Sequence, residues 1–219
     1  QDNVIFTPYF KDGDFVKKGE VILKIEATYP TLLRGERLSL NLFQRMSGIA
    51  TETARYVKEL AETSTELLDT RKTAEMCYEL AVKHGGGTNH RMGLYDMAMI
   101  KDNHIKMAGG IAKAVEQVRS KIDPSIKIEV ETTNLDEVRQ AIEAGADIIM
   151  LDNMGNEQMT EAVAIIKAAD KGIKTEASGN MSIPRLLEVA ATGVDFISVG
   201  ALTHTVKGMD ISMNIQVEK

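Results

Sequence analysis

Hydrophobic positions along this chain follow two rhythms. Short apolar runs occupy residues 1–30 and return from Glu66 onward, whereas from about Thr31 to Thr63 apolar residues recur at three- and four-residue steps. In that middle stretch Leu33, Leu40, Phe43, Met46 and Ile49 with Ala50 make one stripe with charges opposite, which predicts a long amphipathic helix. Gly48 marks either a break in it or a close helix contact. In the first stretch Val4-Ile5-Phe6 and Val21 to Ile25 read as strands, with turns at Lys11-Asp12-Gly13-Asp14 and Lys17-Lys18-Gly19.

Beyond residue 65 the runs are interrupted by helical stretches, and each stops at a polar, ionisable or small residue. They are Glu66-Leu67-Leu68 into Asp69, Ala98 to Ile100 into Lys101, and Ile126 to Val130 into Glu131. Then follow Ile148 to Leu151 into Asp152, Ile173 to Thr175 into Glu176 and Ser178, and Phe196 to Val199 into Gly200. This alternation predicts parallel strands in βα units, with helices over Ile111 to Lys121, Leu135 to Ala144, Gly155 to Ala169 and Ile183 to Ala191. Thr133-Asn134 and Ser182 are candidate caps, Pro184 sits in a first helical turn, and Gly145, Gly172 and Gly193 fall where helices end. The expected fold class is α/β, an incomplete (β/α) barrel with six strands in place of eight, whose chemistry collects at the C-terminal strand ends.

Composition narrows the picture only a little. The 219 residues are 43% hydrophobic, enough for one barrel plus a smaller appendage. A net charge of -6 argues against a nonspecific nucleic-acid surface. The single cysteine, Cys77, cannot form an internal disulfide, so a cytoplasmic protein is expected. No apolar stretch approaches the ~20 residues of a membrane span. The chain opens at Gln1, within a strand-like pattern and without a methionine, so further residues are expected before it.

The charged residues at the rim run against the net charge. Arg71 and Lys72 follow Asp69-Thr70; His90 and Arg91 follow Gly85-Gly86-Gly87-Thr88-Asn89; Lys101 closes a strand, with His104 just beyond. Arg offers a planar fork to carboxylates or phosphates and Lys a mobile point charge. Consecutive glycines let backbone approach a ligand, or make a hinge. His104 reads first as a hydrogen-bonded structural histidine. The cationic cluster predicts a polyanionic substrate. Facing it, Glu131 and Asp152 end adjacent strands and suit sugar hydroxyls or a Mg²⁺ ion, or else neutralise the cations. Ser178-Gly179-Asn180 and Gly200-Ala201 end the last strands, the corner where such barrels cradle phosphate. No HExxH or CxxC spacing and no Ser-His-Asp set is present.

The segments ERLSLNLFQRMSGIAT, DTRKT, GGGTNHRMGLYD, IKDNHI, IEVET, IIMLDN, EASGN and DFISVGALTH, in that order, resemble the quinolinate phosphoribosyltransferase family. The resemblance implies an N-terminal open sandwich and linking helix over residues 1–64, truncated here, and an α/β barrel with a C-terminal extension over 65–219. It implies an obligate homodimer or larger assembly with a shared site. It also implies Mg²⁺-dependent transfer of the phosphoribosyl group of phosphoribosyl pyrophosphate to the quinolinate ring nitrogen, with decarboxylation to nicotinate mononucleotide. By that resemblance Arg71, His90 and Arg91 hold the substrate carboxylates, with Arg37 entering from the neighbouring subunit. Lys72 and Lys101 face carboxylate or pyrophosphate, with His104 near the same charge. Glu131 and Asp152 hold ribose hydroxyls and the metal, directly or indirectly, and Ser178, Gly179, Asn180, Gly200 and Ala201 hold the 5′-phosphate. Lys72, Lys101, Glu131 and Asp152 are the catalytic set so implied.

The sequence departs from the family after DTRKT, where a proline-glycine turn and longer helix are replaced directly by Ala74-Glu75-Met76-Cys77. Three other readings compete: the molybdenum-transport-associated branch, which shares the barrel, a silent anion-binding relative, and a half biotinyl or lipoyl module at residues 11–26. The last lacks a lysine at its tip, Glu26-Ala27-Thr28-Tyr29.

Overall fold

A computed structural model describes residues 3–70, 76–91 and 96–216. Strands β1 (Ile5–Pro8) and β2 (Leu23–Glu26) pair antiparallel as a ribbon. Helix α1 (Tyr29–Leu60) carries the chain from this ribbon to the main body. Pro30 stands in its first turn, where a missing N–H costs nothing. It runs unbroken through Gly48. A Cβ there would stand 2.2 Å from the carbonyl oxygen of Lys207, so the glycine is a close-contact point and not a break. The C-terminal segment is strapped along the same face. Arg45 donates to the carbonyls of Thr203 and Val206, and Gln44 Nε2 donates to Ile211 at 2.6 Å.

The main body alternates strand and helix: β3 (Glu66–Leu68), α2 (Met76–His84), β4 (Met97–Ile100), α3 (Asp102–Ala108), α4 (Ile111–Arg119) and β5 (Lys127–Thr132). It continues with α5 (Leu135–Ala144), β6 (Ile148–Asp152), α6 (Asn156–Ala168), β7 (Lys174–Ser178), α7 (Ile183–Ala190), β8 (Phe196–Ser198) and α8 (Ala201–His204). All six strands are parallel, in the order β3-β8-β7-β6-β5-β4. The first and last strands pair, and the sheet stays open between β3 and β4. Thr88 lines that gap. Its N–H donates to Leu67 and its carbonyl accepts from Asp69, which places the following Asn89 and His90 at the break.

Both faces of the sheet are covered. Ile128, Val130, Ile149, Leu151, Ala177 and Ile197 are fully buried, as expected for parallel strands enclosed by helices. Asn134 caps α5 by accepting from the Glu137 N–H at 3.0 Å, and the Glu137 carboxylate returns the bond to Thr133. Ser182 stands at the N-cap of α7 but makes no side-chain cap bond. Helices α3 and α8 are short and follow their strands at once, so their apolar spacing is too brief to register as a helical period. Among the described residues no helix is long and apolar enough to cross a membrane.

Candidate functional site

The C-terminal ends of the six strands meet at one mouth, and the chemistry is arranged in two levels. At the upper level Lys101, just past β4, pairs with Glu131 near the end of β5, Nζ to Oε2 at 2.6 Å. Both side chains are partly exposed, so the pair faces the mouth. Asp152 ends β6, and its Oδ2 accepts from Asn153 Nδ2 at 2.9 Å. Opposite Asp152 in register is Ser178, and the loop after it folds back onto Asn153. Asn153 donates its N–H to the Ser178 carbonyl at 3.0 Å, and Asn180 Nδ2 donates to Asn153 Oδ1 at 3.3 Å. Gly179 has φ +95°, and a Cβ there would stand 2.2 Å from Asn153 Oδ1, so any other residue would be strained and would displace that side chain. Asn153 and Asn180 themselves hold positive φ, a conformation their side chains tolerate better than most. Gly200 and Ala201 open α8 beside Thr70, at the neighbouring strand end.

The lower level is buried. Glu129 and Glu176 lie inside β5 and β7, one strand apart, and are 0% and 1% exposed. Side chains from alternate strands share interior layers in such barrels, which brings the two carboxylates together. His90 enters from the gap beside β3, with Nε2 3.2 Å from one oxygen of each. Burial alone would lower the His90 pKa; the two carboxylates outweigh it and raise it to about 10. Burial, and the neighbouring Glu176, push Glu129 above the usual carboxylate range. These three side chains place their ligand atoms within 4.8 Å of one another, a spacing a cation could use, and the imidazolium already occupies that place. Above them Asp69, itself buried, accepts from the His90 N–H at 2.6 Å and from Asn89 Nδ2 at 2.8 Å.

Several expected site residues sit differently from a bare rim. Arg91 donates Nη1 to the Met97 carbonyl at 2.9 Å. His104 accepts from the Lys101 N–H at 3.1 Å, closing the first turn of α3. Glu176 lies within its strand, whereas the apolar run implied a strand stopping there. Gly85 and Gly87 are small because α1 packs on them: a Cβ would stand 2.6 Å and 2.8 Å from the Thr53 side chain. That contact, not ligand approach, accounts for these two glycines. Arg37 is exposed on α1, sixteen positions before Thr53, or about 24 Å along the axis at ~1.5 Å per residue. Arg71 and Lys72 lie outside the described residues.

Glu129 shares a strand face with Glu131 and Glu176 follows an apolar run, but the sequence assigns neither of them, nor Asn153, a part in the site. The available signal was a carboxylate, Glu129, flanked by Ile128 and Val130 in mid-strand of a parallel sheet covered on both faces. A charge there demands a buried partner.

Comparison with known proteins agrees with this arrangement. Residues 49–214 match the C-terminal domain of quinolinate phosphoribosyl transferase, and residues 2–47 match its N-terminal domain. A probable nicotinate-nucleotide pyrophosphorylase [carboxylating] of Bacillus subtilis (strain 168) is 45% identical over 98% of this chain and 74% of its own length. A protein of the same description from Synechocystis is 44% identical over 93% of this chain and 70% of its own. Among solved structures, NadC from Streptococcus pyogenes superposes with a TM-score of 0.87 at 39% identity, over 96% of this chain and 75% of that one. The nicotinate-nucleotide pyrophosphorylase of Francisella tularensis gives 0.86 at 44% identity, over 95% and 74%. With both domain models matched in order along an incomplete parallel barrel, the chain belongs to the quinolinate phosphoribosyl transferase family.

Proposed function

We propose that this protein transfers the phosphoribosyl group of phosphoribosyl pyrophosphate to the ring nitrogen of quinolinate, yielding nicotinate mononucleotide, pyrophosphate and CO₂. The observation that carries the reading, beside family membership, is the division of one mouth into a cationic and a carboxylate side. His90, Arg91 and Lys101 lie toward β3 and β4, while Glu131, Asp152 and the Ser178-Gly179-Asn180 loop continue round β5 to β7. A dicarboxylate suits the first side and a ribose phosphate the second.

Quinolinate nitrogen forms the bond to C1′ as the C1′–O bond breaks and pyrophosphate leaves with its electron pair. The nitrogen is then cationic. Loss of the 2-carboxylate as CO₂ leaves the C–C electron pair on the adjacent ring carbon, where a proton replaces it. The protein's work is placement and charge. Lys101 and Glu131, locked at 2.6 Å, set a cation against one substrate and a carboxylate against the ribose. Asp152, held by Asn153, faces the developing positive charge on C1′. Glu131 and Asp152 offer hard oxygen donors of the kind Mg²⁺ takes and would hold that ion. Once bound there, it would supply charge to offset that of the departing pyrophosphate. The loop around Gly179 receives the 5′-phosphate: its glycine leaves backbone open to an anion at the C-terminal end of β7.

The assembly is a homodimer or larger, with Arg37 of one subunit reaching the mouth of the next; the exposed apolar side chains of the N-terminal ribbon, among them Phe6 and Phe15, favour association. The decisive experiment incubates the protein with Mg²⁺, phosphoribosyl pyrophosphate and quinolinate, reads nicotinate mononucleotide by chromatography and traps CO₂. Product requiring all three additions is expected. Turnover without quinolinate, or none with it, rejects the assignment.

A further inference from the structure

Two enclosed carboxylates are costly unless a positive partner is bound to them. Glu129 and Glu176 both meet the same atom, His90 Nε2, at 3.2 Å, and all three side chains are at most 2% exposed. The main chain of His90 is fixed as well, through its N–H on Asp69. The residue is thus anchored through its backbone at Asp69 and through Nε2 at the two carboxylates. Nδ1 of the ring is enclosed and has no hydrogen-bond partner among the described residues; Glu129 Oε1 and Oε2 and Glu176 Oε1 also have none, so charge pairing rather than hydrogen bonding joins Glu129 to the ring.

We propose that Glu129 and Glu176 are positioning residues for quinolinate: they grip His90 by Nε2, leaving Nδ1–H as the one ring donor for a substrate carboxylate. The inference rests on the reading above that quinolinate binds at this mouth. Orientation alone would not be enough. A neutral ring protonated at Nε2 would turn a bare Nδ1 lone pair, an acceptor, toward an acceptor carboxylate. The two glutamates hold the ring in its doubly protonated form against the effect of burial, so the same clamp decides direction and donor character. The choice of quinolinate follows from position. His90 hangs beside Arg91 at the gap between β3 and β4, whereas the loop suited to phosphate follows β7.

The test uses Glu129→Gln and Glu176→Gln, which keep the shape and remove the charge. Each is expected to raise KM for quinolinate at least tenfold, with KM for phosphoribosyl pyrophosphate within twofold and kcat within threefold. Added to His90→Gln, Glu176→Gln should cost less than a further twofold, because the ring it serves is gone. Equal rises for both substrates, an unchanged quinolinate KM, or fully multiplicative losses would each overturn the clamp. Should the variants fail to fold, ¹⁵N spectroscopy of the wild-type histidines decides instead. On adding quinolinate without phosphoribosyl pyrophosphate, the Nδ1 signal of His90 should move while Nε2 stays; movement of Nε2 alone overturns the proposal. Wild-type protein that never turns over quinolinate would sink the proposed function, whereas an active wild type with unaffected Gln variants would sink only the clamp.

Discussion

The barrel and the N-terminal ribbon use the same apolar residue types to opposite ends. In the barrel, Ile128, Ile149, Leu151 and Ile197 are wholly enclosed, and even its charged residues Glu129 and Glu176 are buried in a mutual arrangement with His90. In the ribbon, Ile5, Phe6, Tyr9, Phe15 and Val21 are all more than half exposed, with Phe15 at 85%. The neighbouring stretch of α1 also leaves Leu33 and Leu38 open. An isolated two-stranded ribbon is at best marginal in water, and a large exposed apolar patch marks a surface meant to be covered. The difference teaches where each half gets its stability. The barrel completes its core from its own chain; the ribbon, exposed at every position of β1 and alternately in β2, has no opposing layer among the described residues.

The contrast is broken most forcefully from the barrel side. Ile149 sits at the centre of β6 with no exposed surface, so Ile149→Ala should cost about 2–5 kcal/mol in denaturant unfolding. A loss below ~1 kcal/mol would mean the core can collapse around the gap, and the barrel is less tightly packed than its burial implies. A smaller effect is expected at the closed end of the barrel, between β7 and β8. Asp195 accepts from Thr175 N–H and hydroxyl, at 2.9 and 2.8 Å, and from Lys174 Nζ at 2.7 Å. Burial tends to raise its carboxyl, and these donors outweigh that and hold it below the usual range. The folded value is therefore lower than the unfolded one. Stability from Asp195 is full above an unfolded value of about 4 and is lost as pH falls through the folded value. Asp195→Asn should cost about 1–2 kcal/mol at pH 7, and the difference from wild type should shrink in urea titrations below pH 4. A difference constant down to pH 3 would assign the cost to shape rather than charge.

The ribbon should respond least in stability and most in association. The double substitution Phe6→Ser with Phe15→Ser is expected to change unfolding free energy by no more than ~0.5 kcal/mol. In sedimentation velocity it should shift the protein toward smaller species. A large loss of stability with unchanged assembly would show that these rings pack on their own chain.

Much of this architecture is legible in the residues. The strand runs around Leu67, Ile128, Ile149 and Ile197 and the helix over Leu135–Ala144 follow from spacing alone, because burial selects apolar side chains at the period of the element. Gly145 and Gly193 end helices with positive φ as their positions predict. The site is legible at its upper level, since Lys101, Glu131 and Asp152 terminate apolar runs and lie at the mouth. The lower level is not. Nothing local says that Glu129 and Glu176 converge, because their approach depends on how the sheet curls and which strands alternate. Gly48 and Gly85 are likewise ambiguous until α1 is laid on Lys207 and on the turn after α2, for a glycine reads alike whether it admits a ligand, a bend or a neighbouring helix.

By itself, then, the order of residues determined the alternation of strand and helix, the parallel barrel and the inventory of charges at its mouth. These depend on hydrophobic period and capping, which act over a few residues. The tertiary structure alone decided that His90 is gripped by two buried glutamates, that Asn153 joins Asp152 to the Gly179 loop, and that Gly85 and Gly87 make room for α1. Those contacts join residues dozens of positions apart, and such pairings are chosen by the packing of the whole sheet and its helices.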